Sequence, residues 1–191
     1  MLQSPILVTG AAGRFGGVGV EVVDILRGKG LPVSALVRTD DDRAEALRAT
    51  GAEVVVGDLT RAEDVARALD GCRRAYFGMS VSPPYLEATV TAAAVARELG
   101  GLEAFVNISQ LTVSQMSLTA MTDSLQQRMH WLGEQALNWS GLPVVHVRAT
   151  VFLQHLYSPS GPRSRSRGTA RSACPSATRG RPRSTRGTSR R

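Results

Sequence analysis

The chain has 191 residues, 42% of them apolar and 5% aromatic, enough for one domain with a substantial core and in keeping with an Ala/Val/Leu-rich α/β fold. Its net charge of +7 is unevenly placed: residues 1–157 hold 13 Lys and Arg against 16 Asp and Glu, whereas residues 158–191 hold ten Arg and no acid. No apolar run reaches the roughly 18 residues that span a bilayer, and no secretion signal opens the chain, so a cytoplasmic protein without a membrane partner is expected. Cys72 and Cys174 stand far apart, without metal-ligand spacing, and are expected as free thiols with no metal site.

Ile6-Leu7-Val8-Thr9 reads as a short apolar strand running into the turn Gly10-Ala11-Ala12-Gly13-Arg14-Phe15-Gly16, whose glycines are spaced three apart. A helix from about Val18 to Arg27 follows, with Val18, Val22, Ile25 and Leu26 at helical spacing as its sheet-facing side. Gly28-Lys29-Gly30 ends it where a left-handed C-cap is wanted. Residues 32–38 form a second strand, residues 41–49 a short polar helix closed by Gly51, and residues 52–58 a third strand. The valine run of that third strand predicts burial on both faces.

Thr60 is placed to cap a helix over residues 61–69, with Glu63 three residues on completing a capping box. Residues 74–80 are a fourth strand, and Pro83-Pro84 opens a long Ala-rich helix to about Leu99. A fifth strand at 104–109 and a loop rich in Ser, Thr and Met precede a helix from about Leu125 to Trp139. Ser140-Gly141 stops that helix, and residues 143–148 make a sixth strand. Strand–helix alternation with crossover connections predicts an α/β fold: a parallel doubly wound sheet in the order 3-2-1-4-5-6 with helices on both faces. Its ligand crevice is expected at the carboxyl ends of strands 1 and 4.

Residues 158–191 contain no Leu, Ile, Val, Phe, Tyr or Trp and cannot bury a core, so this segment is expected to be a disordered tail behind a domain of residues 1–157. Two origins are open. Ten guanidinium groups would attract nucleic-acid phosphates without regard to sequence, the only nucleic-acid contact expected here. The other origin is a reading-frame shift in a GC-rich gene, favoured by the single Lys29 against 22 arginines and by the abrupt change of composition after the sixth strand.

The glycine turn carries the first chemical signal. Glycines let the backbone come close to a bulky ligand, and the helix N-terminus behind them offers free N–H groups and partial positive charge to a pyrophosphate. The context of a strand before, a helix after and a second strand beyond fits a dinucleotide site, although the spacing is not Gly-x-Gly-x-x-Gly. Arg38, at the end of the second strand and 22 positions after Gly16, suits the 2′-phosphate of NADP, where an acid would hold the ribose of NAD. NADP(H) is therefore the expected cofactor and NAD(H) the second option. Asp40-Asp41-Asp42 would oppose a phosphate if they folded back, and Arg14 would reinforce its binding. Asp58 is placed either to accept from the adenine amino group, with Leu59 packing on the ring, or to cap the next helix. Ser80 and Ser109 end strands 4 and 5 on the crevice rim, within reach of the nicotinamide half or a substrate, or as plain turn serines.

These residues together resemble the NmrA-like NAD(P)-binding family of atypical short-chain dehydrogenase/reductases. The resemblance rests on residues 8–16, Ala35-Leu36-Val37-Arg38, Val56-Gly57-Asp58-Leu59, Asn107-Ile108-Ser109-Gln110 and Ser140-Gly141-Leu142-Pro143 with Arg148, and it covers roughly residues 4–157. It implies a Rossmann-like domain and cofactor contacts from Thr9, Gly10, Ala12, Gly13, Arg14, Phe15, Gly16, Arg38, Asp58, Leu59, Ser80 and Asn107. It also implies an oxidoreductase acting on a quinone or similar small molecule, or a degenerate remnant of one, or a redox sensor acting through a protein partner without turnover. Active short-chain enzymes use a Tyr-x-x-x-Lys pair as proton relay. Here Gln126 and His130 occupy those positions, and Gln cannot serve as an acid. His130, with an ordinary pKa near ~6.5, could donate a proton or simply hydrogen-bond the ribose, and Ser109 and His130 are the catalytic candidates. Beyond the sixth strand the family builds much of its substrate pocket, a segment that Phe152-Leu153-Gln154-His155-Leu156 begins before the arginine-rich tail takes over.

Overall fold

The computed structural model describes residues 3–13 and 17–150. Six strands, β1 (Ile6–Thr9), β2 (Val33–Val37), β3 (Glu53–Val56), β4 (Arg74–Phe77), β5 (Ala104–Gln110) and β6 (Val144–Ala149), form one sheet. Their order is β3-β2-β1-β4-β5-β6, and each neighbouring pair is parallel. Five helices alternate with them: α1 (Val18–Gly28), α2 (Asp42–Ala49), α3 (Ala62–Leu69), α4 (Tyr85–Leu99) and α5 (Leu125–Trp139). A single 3-10 turn, Leu111–Gln115, follows β5. This is the predicted doubly wound order, and it follows from right-handed crossovers that reverse direction once, between β3 and β4.

The strands bury both faces because successive side chains point to opposite sides. Leu7, Leu36, Phe77 and Phe105 pack with Val65 and Leu69 of α3, Ala92 and Ala96 of α4 and Leu137 of α5. Val8, Ala35 and Val37 pack with Val23 of α1 and Ala44 and Leu47 of α2. Cys72 is a buried free thiol whose pKa burial pushes up to about 11, so it is inert at neutral pH. No helix among the described residues is long and apolar enough to cross a membrane.

Three local expectations need correction. The burial face of α1 is Gly19 and Val23, with Val22 and Leu26 partly buried, whereas Ile25 is 57% exposed. Gly19 sits against the glycine turn, and Ile25, about 120° round the helix from it, faces solvent. Accordingly, Ile25→Ser is expected to change stability by no more than about 0.5 kcal/mol in urea unfolding, the range of ordinary surface substitutions. The β3 valines are not buried on both faces: Val54 and Val55 pack against opposite cores, but Val56 is 40% exposed, because β3 lies at the sheet edge. Thr60 does not cap α3. The N-cap is Arg61 without a side-chain bond, while the Thr60 amide and hydroxyl both donate to Asp58 Oδ1 at 2.9 and 2.8 Å. The Asp58 side chain thus takes the local turn that the hydroxyl was expected to start.

Candidate dinucleotide site

In a parallel doubly wound sheet a crevice opens at the carboxyl ends of the strands where the winding reverses, here between β1 and β4. Thr9, at the end of β1 and only 2% exposed, stitches its two sides together. Its hydroxyl donates to the Gly78 carbonyl and accepts from the Gly78 amide, both at 3.0 Å. Gly10 then turns with φ +74°, and a Cβ there would lie 2.3 Å from the Gly78 carbonyl oxygen. Only glycine fits that approach. Gly13 donates its amide to Gly10 O at 3.1 Å, closing the first half of the turn. Arg14, Phe15 and Gly16 lie outside the described residues.

Gly17, with φ +60°, is the N-cap of α1 and has no side-chain cap. Among the described residues no side chain takes up the first-turn amides of α1, as anion binding at a helix N-terminus requires. Gly19 was not anticipated. A Cβ on it would come within 2.8 Å of the Ala11 backbone, so α1 seats directly on the turn only because this residue is glycine. The available signal was a glycine inside a helix, which costs about 1 kcal/mol against alanine and asks for a packing reason. The described part of the turn thus leaves the room that close approach demands and fits a pyrophosphate.

At the ribose end, the Arg38 side chain is 79% exposed and meets Asp58 Oδ2 at 3.6 Å. The Asp58 carboxyl is held below its ordinary range, first by the Thr60 amide and hydroxyl and then by the Arg38 charge. Leu59 packs against the core beside α3 and α4. Of the three acids expected as a threat to a bound phosphate, Asp40 takes Arg48 at 2.8 Å and Asp41 caps α2 while pairing with Arg43, whereas Asp42 is exposed in the first turn of α2 and makes no ion pair among the described residues. Arg43 Nη1 also donates to the Ala12 carbonyl at 2.6 Å, a contact 31 residues apart that no local pattern announced.

Farther along the crevice Ser80 is exposed just beyond β4. Asn107 and Ser109 are buried at 1% and 3%, turned to the face that carries Phe105. Asn107 Nδ2 meets His146 Nδ1 at 3.1 Å, and His146 Nε2 meets Asn138 Oδ1 at 3.0 Å, contacts that a proton on Nε2 satisfies together. Burial holds His146 below the ordinary imidazole pKa. The Asn107 Oδ1 and Ser109 Oγ atoms have no hydrogen-bond partner among the described residues. His130 is not on an open rim. It is 7% exposed, and its Nδ1 meets the Tyr85 hydroxyl at 3.1 Å between α4 and α5. Burial lowers its pKa and raises that of Tyr85 to about 12, so the pair is neutral at physiological pH. Gln126 is exposed one turn earlier on α5.

Fold, turn and uncapped helix define a Rossmann-like dinucleotide-binding domain. The NAD(P)H-binding family matches residues 10–172, and the chain belongs to it. Among solved structures the chain is similar to the anaerobillin reductase ChuY of Escherichia coli O157:H7, at 26% identity and a TM-score of 0.63, over 76% of this chain and 72% of that one. It also shares its fold with the NADPH-dependent quinone oxidoreductase QOR2 of Escherichia coli, at 22% identity, TM-score 0.61, and 75% and 48% coverage. An NmrA variant gives 20% identity, TM-score 0.66, and 78% and 45% coverage. The chain thus spans about half the length of the last two, and its fold is that of the NmrA-like atypical short-chain dehydrogenase/reductases. No curated protein matches the sequence.

Proposed function

We propose that this domain binds NADPH in preference to NADH and belongs to an oxidoreductase that reduces a small neutral acceptor such as a quinone. The observation that carries the preference is Arg38, which stands exposed at the end of β2 while the neighbouring Asp40 and Asp41 are occupied by Arg48 and Arg43. An exposed guanidinium, held only loosely by Asp58 and with two of its three neighbouring acids paired elsewhere, favours a phosphate dianion. The likeness to a quinone oxidoreductase described as NADPH-dependent points the same way.

The acceptor class rests on the loop that follows β5 on the crevice side. Residues 111–122 carry no charged side chain, and Leu118 and Met121 are 83% and 41% exposed. Such a rim suits an uncharged, apolar molecule better than an acid or a sugar. Bound NADPH would supply the hydride. The chain's own residues would orient the cofactor, and the proton that completes quinone reduction would come from solvent, since the Tyr85–His130 pair is neutral and mutually bonded.

Calorimetric titration with NADPH and NADH tests the preference. Arg38→Ala is expected to weaken NADPH by about tenfold to a hundredfold, the worth of a charge-assisted bond, while leaving NADH nearly unchanged. Equal losses would remove the argument from Arg38. Quinone-dependent NADPH oxidation tests the chemistry; binding without turnover would favour a redox sensor that acts through a protein partner.

A further inference from the structure

Two arginines flank the adenosine side of the crevice, and their donors are spent differently. Arg38 is 79% exposed with a loose contact to Asp58 and donates no side-chain hydrogen bond among the described residues. Arg43 is committed. Its Nε meets Asp41 Oδ1 and Oδ2 at 3.3 and 3.1 Å, its Nη2 meets Oδ2, and its Nη1 reaches the Ala12 carbonyl at 2.6 Å. Asp41 is itself fixed, since Oδ1 accepts from the Arg43 and Ala44 amides at 3.0 and 3.4 Å as the N-cap of α2.

The contact at Ala12 falls on one particular peptide unit. The Ala12–Gly13 peptide has its N–H bonded to Gly10 O and its C=O bonded to Arg43, so both polar groups are anchored and the plane cannot turn over. Were it to flip, the Ala12 carbonyl would point at the Gly10 carbonyl and the Gly13 amide at the Arg43 guanidinium, two contacts of like with like. Losing both bonds would distort a turn whose backbone an anion must approach closely. We infer that Arg43 is a positioning residue: with Asp41 it latches the glycine turn to the N-terminus of α2 and holds the turn in the shape on which the pyrophosphate rests. The inference rests on the reading that the glycine turn holds the pyrophosphate, and it makes Arg43 indifferent to the 2′-phosphate.

That indifference separates the latch from a second phosphate ligand. In calorimetric titrations of the full chain, Arg43→Ala is expected to weaken NADPH and NADH by the same factor, about tenfold for one charge-assisted hydrogen bond. Arg43→Lys restores little, because a point charge cannot span Asp41 and Ala12 together. Asp41→Asn serves as the second variant. Asn caps a helix about as well as Asp, so the melting temperature is retained while the guanidinium loses its charged anchor, and both cofactors weaken together. Arg38→Ala in parallel reports on the 2′-phosphate alone, so its result bears on NADPH preference and not on the latch. Loss confined to NADPH in Arg43→Ala would overturn the latch, as would unchanged affinity for both cofactors in Arg43→Ala or in Asp41→Asn. If the unmodified chain bound neither cofactor, the reading of the turn and the latch would fall together.

Discussion

Arg148→Ala is expected to destabilise the domain by about 3 kcal/mol at neutral pH, because removing one partner of a buried ion pair strands the other. Glu134 is fully buried on α5, and Arg148 of β6 grips it with two bonds, Nε to Oε1 at 3.0 Å and Nη2 to Oε2 at 2.7 Å. Arg148 itself is 39% exposed, which places the expected cost at the low end of the range for such pairs. Burial pushes the Glu134 carboxyl up, but the bonds from Arg148, the nearby Ser109 hydroxyl and the charges of His146 and Arg148 outweigh it and hold the pKa below the ordinary value. The Ser109 hydroxyl acts on it without a well-formed hydrogen bond.

The sign of the pH dependence follows from that direction. A carboxyl with a lowered folded pKa contributes stability that is fully present above its unfolded pKa, about 4.3, and is lost as pH falls through the folded value. In Arg148→Ala burial acts unopposed by the guanidinium, so Glu134 is expected to take up a proton more readily when folded. The gap between the two proteins should therefore be widest near pH 7 and close toward pH 4. Urea unfolding at a series of pH values measures it; a gap that stays constant with pH would show that Glu134 is not the group left unpaired.

The second large effect is at the turn. Gly10→Val is expected to abolish measurable NAD(P)H binding. It forces a branched side chain into φ +74° and places its Cβ 2.3 Å from the Gly78 carbonyl, so β1 and β4 must part just where the crevice opens. Gly28→Ala is the matched control. Gly28 lies at the exposed end of α1 with nothing within 4 Å of an added Cβ, so alanine there should leave binding intact and gain about 0.5–1 kcal/mol. Retained binding in Gly10→Val would show that the cofactor does not sit on this turn.

Much of the frame was legible because it is written in local patterns. The alternation of Leu7 and Val8 between two cores, the helical repeat of Val65, Ala68 and Leu69, and the turn glycines each fall within a few residues of chain. With right-handed crossovers these patterns suffice for the sheet order. The candidate site was legible only in part. Gly10, Gly13 and Arg38 announce themselves by spacing, yet the contribution of Gly19 appears only when α1 is laid against Ala11. His130 sits where a catalytic lysine is expected by resemblance, but α4 brings Tyr85 across to hold it, 45 residues away in the chain. The proposed substrate segment 152–156 and the tail 158–191 lie outside the described residues.

By itself, the sequence determined the class of fold, the order of the strands, the glycine turn before a helix and the arginine at the end of β2. These depend on periodicity and on backbone conformations that few residues can adopt. Only the tertiary structure decided which charges are spent and which stay exposed: Arg43 on Ala12, Arg48 on Asp40, Arg148 on Glu134, with Arg38 held only loosely by Asp58. Each of those pairings joins different elements, and a Coulombic or hydrogen-bonded contact depends on separation in space, which no periodic pattern along the chain records.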